Sequence, residues 1–456
     1  MREKTLKQDY MINGKGDDQM VSKLLEMMFR HEMWEEMIDK ANEKGINVTV
    51  VKQMCIPQVR VQLYNRIVNY QYEIAPPHIA RIPKDVPGEF REVYVNEDVD
   101  RIVLTLINDC LCKLFPEMIH EQCKSYQKGI GCQEVVQTIT KEIAKLNKNT
   151  NDKFIGYKAD LSKYFDSVKI EIIDDVFNIF EKKLGFEIGT EPVITLLRKY
   201  YHNDLVFDVD GNLIKHYGSL KQGCAVAAIL ANVVLYDVDK TLNEMDIIYY
   251  RYSDDIVMIG KDADKAKETL ECMLQKYGLK LNPRKVEALY SDVWFKFLGF
   301  NIKGDMITLS KNRIKKFQKE IISRTLNKPY ITERQAKESI INYLYRGDYC
   351  WATSCIGTVN CKPDIDEMNK FIMDCLRAVK VRETSKRKGK ISISRIGGLG
   401  VVIDLPDRTI LRGTGKNVTS NRNKTDKQIG NYLTMSCLLN AMKMDKVIFD
   451  ACVRSM

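Results

Sequence analysis

Apolar and charged positions alternate with helical spacing through the first third of the chain. Over residues 18–44 apolar side chains recur every three or four positions, which predicts an amphipathic helix. A second helix is predicted from about Gln58 to Tyr72. Four prolines between 76 and 87 then predict an irregular or extended segment around Ile82 to Val95, and helical patterns resume through about residue 146.

From Phe154 onward, short apolar runs alternate with amphipathic ones, which predicts a mixed α+β region. The strands and hairpins are predicted at Phe154–Leu161, Leu205–Lys215, Ile247–Ile259 and Val293–Ile302. The helices are predicted at Ile170–Lys183, Pro192–Tyr201, Ala225–Leu242 and Ala263–Tyr277. Beyond Ser310 the pattern predicts helices at Ile314–Ser323, Glu333–Tyr345 and Glu367–Val379, then a hairpin-like piece over 391–403.

Two adjacent carboxylates stand at the centre of this pattern, in the segment Y-R-Y-S-D-D-I-V-M-I. Asp254 and Asp255 lie between two apolar runs rich in β-branched and aromatic residues, so they are expected at the tip of a hairpin. Adjacent carboxylates repel each other and resist burial unless a cation neutralises them. The segment is therefore a candidate magnesium site, with a polar hairpin turn as the alternative interpretation.

A third carboxylate, Asp160, ends an apolar strand 94 residues before Asp254. Phosphoryl transfer with two magnesium ions needs carboxylates from separate parts of a chain at one point, because the metals clamp both the attacking and the leaving oxygen. Asp160 is the predicted third member of such a set. A helix-capping role for this aspartate is the alternative.

Positive charge is concentrated near the C-terminus. The 456-residue chain has a net charge of +10, and residues 380–427 hold 13 Lys and Arg but only 4 Asp and Glu, which favours a polyanionic partner. The 13 cysteines include no C-x-x-C pair, so neither a disulfide framework nor a zinc ribbon is expected. No signal-peptide core and no run of about 18 apolar residues occurs, so we expect a soluble, cytoplasmic protein without membrane contact.

Five segments taken in order resemble the palm motifs of reverse transcriptases, closest to the bacterial group II intron and retron-like branch. They are A-D-L-S-K-Y-F-D, G-S-L-K-Q-G, R-Y-S-D-D, G-L-K-L-N-P-R-K and F-K-F-L-G-F. The earlier segments I-P-K-D-V-P-G-E-F-R-E-V and S-Y-Q-K-G-I-G are similar to finger motifs of that branch. The resemblance implies an α+β right-hand polymerase: an N-terminal helical extension (1–80), fingers (81–153), a palm (154–310), a helical thumb (311–380) and a basic C-terminal region (381–456).

The resemblance also implies roles for individual residues. Asp160, Asp254 and Asp255, together with Leu161, are the expected ligands of two Mg²⁺ ions, for which Mn²⁺ can substitute. Lys285 is the expected general acid for the pyrophosphate leaving group. The expected nucleotide-binding residues are Lys84 and Arg91 for the triphosphate, Phe165 as the aromatic gate that favours deoxynucleotides, and Gln222 with Gly223 at the template and nascent pair.

One departure concerns the turn before Gln222, where the family usually has proline and this chain has Lys221. The C-terminal basic residues are expected to bind phosphates of nucleic acid, with a solvated tail as the alternative. They are Lys386, Arg387, Lys388, Lys390, Arg395, Arg408, Arg412 and Lys416.

The implied function is RNA-directed DNA polymerase, with a structured non-coding RNA as template, dNTPs as substrate and DNA as product. Antiphage defence is the expected role, since no zinc-bearing endonuclease, maturase-type extension or ribonuclease H acidic set is recognised. The alternatives are an untemplated terminal transferase or RNA-templated RNA polymerase on the same palm, and an inert RNA-binding scaffold. A homo-oligomer is left open.

Overall fold

The protein is described by a computed structural model that covers residues 22–84, 88–149, 155–216 and 218–346, short pieces between 351 and 382, and three strands between 394 and 412. The described residues form two compact units. The first unit extends up to Gly129 and from Gly156 to Ala288, and the second comprises Ile130–Ile155 and the chain from Leu289 onward. None of the helices described is long and apolar enough to cross a membrane.

Helices and strands alternate along the chain as the apolar spacing predicts. The helices are α1 (Lys23–Met28), α2 (His31–Ala41), α3 (Val48–Met54), α4 (Pro57–Val68), α5 (Asp98–Leu114), α6 (Cys132–Asn149), α7 (Tyr164–Ser167), α8 (Ile170–Leu184), α9 (Pro192–His202), α10 (Ala227–Val233), α11 (Tyr236–Asn243), α12 (Ala263–Lys276), α13 (Lys311–Arg324) and α14 (Glu333–Tyr345), with a 3-10 turn at Pro116–Met118. The strands are β1 (His78–Pro83), β2 (Phe90–Val95), β3 (Ile155–Asp160), β4 (Leu205–Phe207), β5 (Leu213–Lys215), β6 (Ile247–Tyr252), β7 (Asp255–Gly260), β8 (Glu287–Tyr290), β9 (Phe295–Phe297), β10 (Phe300–Lys303), β11 (Met306–Leu309), β12 (Ser394–Ile396), β13 (Val401–Asp404) and β14 (Thr409–Arg412). The predicted α+β class is confirmed.

The acidic residues lie in the first unit, on a sheet with the order β6-β7-β3-β8. β6 and β7 form the predicted hairpin, and β3 runs antiparallel to β7 on its other edge. Ile256, Val257, Met258 and Ile259 of β7 are all fully buried. A strand this apolar on both faces needs cover on both, and packing against helices supplies it.

A second sheet of the first unit has the order β2-β1-β4-β5. Of the two conformations predicted for the segment around Ile82 to Val95, irregular or extended, the described residues have the extended one, in the six-pair antiparallel pairing of β1 and β2. The prolines are accommodated because Pro76 and Pro77 precede β1 and Pro83 is its last residue, so none of these three interrupts the interior of a strand. The predicted hairpin of β4 and β5 is confirmed.

Two helices predicted as continuous are each broken, and each break has a local cause. The pattern over 18–44 divides into α1 and α2 because the chain turns at Phe29, whose ring packs against Trp34, while the Trp34 indole donates to the Met28 carbonyl at 3.0 Å. The pattern over 225–242 divides into α10 and α11. There the carbonyl of Ala231 accepts from the Tyr164 hydroxyl at 2.7 Å instead of continuing the helical ladder.

The second unit combines α6, the three-stranded antiparallel sheet β11-β10-β9, and the helices α13 and α14. The predicted strand pair near residues 293–302 is confirmed as β9 and β10. The predicted C-terminal hairpin is confirmed as β12 and β13, to which β14 adds a third antiparallel strand. Division of the chain at residues 80, 153, 310 and 380 stays a prediction.

Candidate active site

The three predicted carboxylates meet at one end of the β3–β7 pair. Asp160 is the last residue of β3 and Asp255 the first of β7, and the two are direct cross-strand partners. Asp254 is in the turn immediately before β7, and its carbonyl accepts from the Leu161 amide at 3.0 Å. Since opposed residues of an antiparallel pair hold their Cβ atoms about 5 Å apart, the acidic groups share one small space.

Burial and mutual repulsion disfavour the charged forms of these acids. Burial, together with the charges of Asp254 and Asp160, raises the pKa of Asp255 to about 6. Burial and the neighbouring Asp160 likewise raise the pKa of Asp254. Any cation that comes between the carboxylates therefore stabilises their ionised forms.

Lys285 supplies one such cation. Its ammonium donates to Oδ2 of Asp160 at 2.6 Å, while its own side chain is 57% exposed. Burial opposes protonation of Lys285, but the bond to Asp160 and the nearby carboxylates outweigh it and raise the Lys285 pKa. The loop carrying Lys285 is held by Asn282, whose amide donates to the Asp160 carbonyl at 2.8 Å. The structure thus brings Lys285 to the acidic site, and its role as a general acid stays a prediction.

The donor chemistry of this edge fits a hard divalent cation, since carboxylate oxygens are the ligands that Mg²⁺ prefers. The side chains are not arranged as a finished metal site: within the described ranges, no group of three or more His, Cys, Asp or Glu side chains is placed to hold a metal ion. Asp160 is bound by the Lys285 ammonium instead. The side chain of Leu161 is buried and has no donor atom, so only its carbonyl has ligand chemistry.

A buried ion pair beneath the hairpin was not predicted from the sequence. Arg251 on β6 and Asp239 on α11 are both fully buried and lie 2.6 Å apart. Asp239 also accepts from the Tyr249 hydroxyl at 2.6 Å, and Arg251 donates to the carbonyls of Asn232 (3.0 Å) and Ser253 (3.2 Å). The pair ties the hairpin tip to α10 and α11, and the only sequence signal for it is an arginine inside an otherwise apolar strand.

Phe165 lies on the short helix α7, five residues after Asp160. Its ring is half-buried and packs edge-on against Tyr164 and against Tyr126, with ring centroids 5.7 and 6.4 Å apart. Its carbonyl accepts from the Leu220 amide at 2.9 Å, which links α7 to the segment that leads to Gln222. Both roles considered for Phe165, the aromatic gate and a core residue, are compatible with this half-buried position.

The turn at Gln222 and Gly223 is held against β2. The amide of Tyr94 donates to the Gln222 carbonyl at 2.7 Å, and Gly223 has a φ of +107°. A Cβ on Gly223 would lie 2.6 Å from the Tyr94 carbonyl oxygen, so the close approach requires glycine.

Lys221, the departure from the family pattern, points inward. It is 2% exposed, its ammonium donates to the Asn203 carbonyl at 2.8 Å, and it lies over the rings of Tyr94 and Tyr200 at 5.6 and 5.0 Å. Burial lowers the pKa of Lys221 to about 8. The Lys221 side chain is thus buried next to the turn. The Gln222–Gly223 backbone contacts β2 although lysine replaces the usual proline.

Lys84 directly follows β1 and Arg91 is on β2, and both are exposed. Lys84 pairs with Glu89 at 3.5 Å, across the hairpin end. Burial raises the pKa of Tyr126, and the charge of Arg91 partly opposes this shift. Lys84 is thus tied to an acidic neighbour, and Arg91 is exposed on β2.

The predicted nucleic-acid-binding residues near the C-terminus lie outside what the structure describes. Arg395 and Arg412 are on β12 and β14, whose backbone alone is described. The others are outside the described residues altogether: Lys386, Arg387, Lys388, Lys390, Arg408 and Lys416. Their binding role stays a prediction.

Part of the chain matches the model of a known family. Residues 82–302 match the model described as "Reverse transcriptase (RNA-dependent DNA polymerase)". The chain contains a reverse transcriptase domain. The family that these residues match consists of RNA-directed DNA polymerases, which are nucleotidyltransferases. All of the carboxylates, Lys285, Phe165 and the Gln222–Gly223 turn fall inside the matched range.

Solved structures similar to the chain include telomerases. Apo telomerase from Candida tropicalis, truncated from its C-terminal domain, is 18% identical, with a TM-score of 0.39, and the match covers 54% of this chain and 59% of that one. Telomerase from Candida albicans, in complex with the TWJ fragment of telomeric RNA, is 12% identical, with a TM-score of 0.42 and coverages of 86% and 62%. This chain spans about six tenths of the telomerase chains it matches. The search of curated proteins finds no match.

Proposed function

We propose that the reverse transcriptase domain adds deoxynucleotides to a primer on an RNA template, with two Mg²⁺ ions held by Asp160, Asp254 and Asp255. The observation that carries the proposal is the direct cross-strand pairing of Asp160 with Asp255, beside Asp254 at the hairpin tip. When bound, the ions supply Lewis-acid activation of a hydroxyl and neutralisation of a triphosphate. Mn²⁺ is expected to substitute.

The residues around the carboxylates have separate tasks in this proposal. Lys285 keeps its proton, because Asp160 raises its pKa, and donates it to the leaving pyrophosphate. Arg91 and Lys84 offer cationic groups to the triphosphate, and Lys84 first exchanges its contact with Glu89 for the phosphate. Phe165 excludes a 2′-hydroxyl with its ring.

A row of lysines in the second unit supports binding of a nucleic-acid backbone. Lys311, Lys315 and Lys319 are exposed on α13 and follow each other at intervals of four residues, so they share one face of the helix. The opposite face is anchored in the unit, since Phe317 and Ile321 are buried. Ammonium groups in such a row contact phosphates without reading bases, as a polymerase requires.

The finer biological proposal is that the template is a dedicated structured non-coding RNA and that the DNA product acts in antiphage defence. Its support is the resemblance of the motif segments to the group II intron and retron-like branch. Sequencing the nucleic acid that co-purifies with the protein tests it. A single abundant structured RNA with complementary DNA is the expected result, and random cellular RNA would contradict it.

The polymerase proposal is tested with labelled nucleotides, Mg²⁺ and a primed RNA template. We expect incorporation of dNTPs in template order, and none with the Asp254→Ala, Asp255→Ala double variant. Incorporation independent of template sequence would favour a terminal transferase, and preference for rNTPs would favour an RNA polymerase. Equal incorporation by the double variant would overturn the proposal, and no incorporation by the native protein would favour an RNA-binding scaffold.

A further inference from the structure

Tyr126 stands between two parts of the candidate site that the sequence does not connect. Its hydroxyl is 3.0 Å from the Ser253 hydroxyl, in the turn that carries Asp254. Its ring meets the ring of Phe165 at 86°, with the centroids 6.4 Å apart. One side chain therefore contacts both the metal-site hairpin and the residue proposed to exclude ribonucleotides.

The segment that carries Tyr126 is held from several directions. The Lys124 amide donates to the Arg251 carbonyl at 2.8 Å, and the Arg251 amide donates to the Gln122 carbonyl at 3.0 Å. On the other side, the buried Ser125 hydroxyl donates to the Asn232 side chain at 2.8 Å. These contacts fix the backbone immediately before Tyr126, and the contacts with Ser253 and Phe165 hold its side chain.

The backbone of Tyr126 is strained, with a φ of 57°. An L-residue in this region costs about 1–2 kcal/mol and persists only when surrounding contacts demand it. Ser253, at the other end of the hydroxyl contact, has a φ of 59°. The two-residue turn between β6 and β7 itself requires this φ at Ser253, so the strain that points to tertiary contacts is that of Tyr126.

The residue is nevertheless 48% exposed, so one side of the ring faces open space. Burial raises the pKa of Tyr126, the charge of Asp254 adds to this shift, and the charge of Arg91 opposes it. An exposed aromatic surface next to Phe165 and to the turn that carries Asp254 is suited to contact the sugar of a bound nucleotide.

We infer that Tyr126 is a specificity-determining residue that holds the Phe165 ring in place and forms a second wall of the sugar pocket. The inference rests on the proposed DNA polymerase function and deepens it. A Phe165 ring without this neighbour is free to tilt, and a tilted ring leaves room for a 2′-hydroxyl. The two aromatic residues thus act as one unit in choosing deoxynucleotides over ribonucleotides.

The test compares kcat/KM for dNTPs and rNTPs on one primed RNA template. Tyr126→Ala is expected to lower the preference for dNTPs by about tenfold or more, the scale of one lost contact in a substrate pocket. Tyr126→Phe, which keeps the ring, is expected to keep most of the preference. Tyr70→Ala is the matched control: Tyr70 also has a φ of 57°, is 43% exposed and donates its hydroxyl to the Thr190 carbonyl at 2.6 Å, but lies outside the site.

Dependence between the two rings is tested by combining Tyr126→Ala with Phe165→Ala. Because Tyr126 acts largely through Phe165, the double variant should discriminate only slightly less than Phe165→Ala alone. The inference would be overturned if the loss of dNTP preference in the double variant equalled the product of the losses in the two single variants. An unchanged preference in Tyr126→Ala would also overturn it. If Tyr126→Ala does not fold, as judged by thermal unfolding, Tyr126→Leu takes its place with the same expected result.

Two different results distinguish an error about Tyr126 from an error about the polymerase function. Native protein that incorporates no nucleotide overturns the polymerase proposal, and the inference with it. Native protein that prefers dNTPs, and keeps that preference in Tyr126→Ala and Tyr126→Leu, overturns only the role of Tyr126.

Discussion

The Lys285 ammonium and Oδ2 of Asp160 lie 2.6 Å apart although 125 residues separate them in the chain. The contact joins the loop after α12 to the end of β3, and that loop is also held through main-chain bonds from Ser162 and Asn282. A lysine fixed at this place by both backbone and charge stays within reach of whatever the carboxylates bind. This geometry suits proton donation better than a diffuse surface charge would.

Replacing Lys285 with methionine is expected to lower kcat for dNTP incorporation by about 100-fold, the scale of a general acid, with little change in KM. Steady-state kinetics on a primed template measures both. Lys280→Met is the control, because Lys280 is exposed in the same segment and only its backbone contacts Ser162. If Lys285 only holds Asp160, the loss would disappear at saturating Mg²⁺, which would contradict the acid role.

Asp255→Asn is expected to abolish incorporation yet stabilise the fold at pH 8 without Mg²⁺. The folded-state pKa of Asp255 is about 6, above the ordinary value, so the native state binds this proton more tightly than the unfolded chain does. The ionised carboxylate therefore penalises the fold fully above about pH 6, and the penalty fades as the pH falls toward 4. Removing the charge should raise the free energy of unfolding by about 1–3 kcal/mol at pH 8.

Urea unfolding at pH 5 and pH 8 measures this difference. Asp210→Asn, in an exposed turn, is the control and should change stability by less than about 0.5 kcal/mol at either pH. Added Mg²⁺ should raise the melting temperature of the native protein more than that of Asp255→Asn, since a ligand that binds only the folded state stabilises it. Destabilisation of Asp255→Asn at pH 8 would contradict the electrostatic account.

The acidic hairpin and the strand that ends in Asp160 were predictable because their signal is local. Apolar runs on both sides of Asp254 and Asp255 predict two strands and a turn, and the structure has β6 and β7 there. The apolar run that ends at Asp160 likewise predicts a strand with a carboxylate at its end, as in β3. What the sequence could not supply is the register that makes Asp160 and Asp255 direct partners, since that depends on a pairing between distant strands.

The supporting residues escaped prediction for a different reason. Asp239 belongs to a helix with an ordinary amphipathic pattern, and an aspartate there is usually exposed, yet it is fully buried with Arg251. Lys221 departs from the family pattern, but a pattern of single residues does not show that two tyrosine rings enclose it. Each depends on a partner brought in by the tertiary fold.

Gly223→Ala is expected to reduce template-directed incorporation at least tenfold. The new Cβ would come 2.6 Å from the Tyr94 carbonyl oxygen and would also strain a φ of +107°, so the turn must leave β2. Gly189→Ala is the control, because Gly189 has a φ of +83° with nothing within 4 Å of its Cβ position, so it feels the backbone strain alone, about 1–2 kcal/mol. Primer extension and thermal unfolding on both variants separate the clash from the strain, and equal activities would show that the turn does not position the template.

Arg251→Met is expected to destabilise the protein by about 3–5 kcal/mol, because it leaves the Asp239 charge buried without its partner. Arg251→Met with Asp239→Asn removes that charge and keeps an acceptor for the Tyr249 hydroxyl, so urea unfolding should recover at least half of the loss. Incorporation should stay low in both variants, since the bonds from Arg251 to the Asn232 and Ser253 carbonyls are gone and the hairpin tip is no longer held. Arg81→Met, which breaks an exposed pair with Glu92 at 3.2 Å, should cost less than about 1 kcal/mol and leave incorporation unchanged. Full recovery of activity in the double variant would show that the buried pair serves stability alone and does not position the carboxylates.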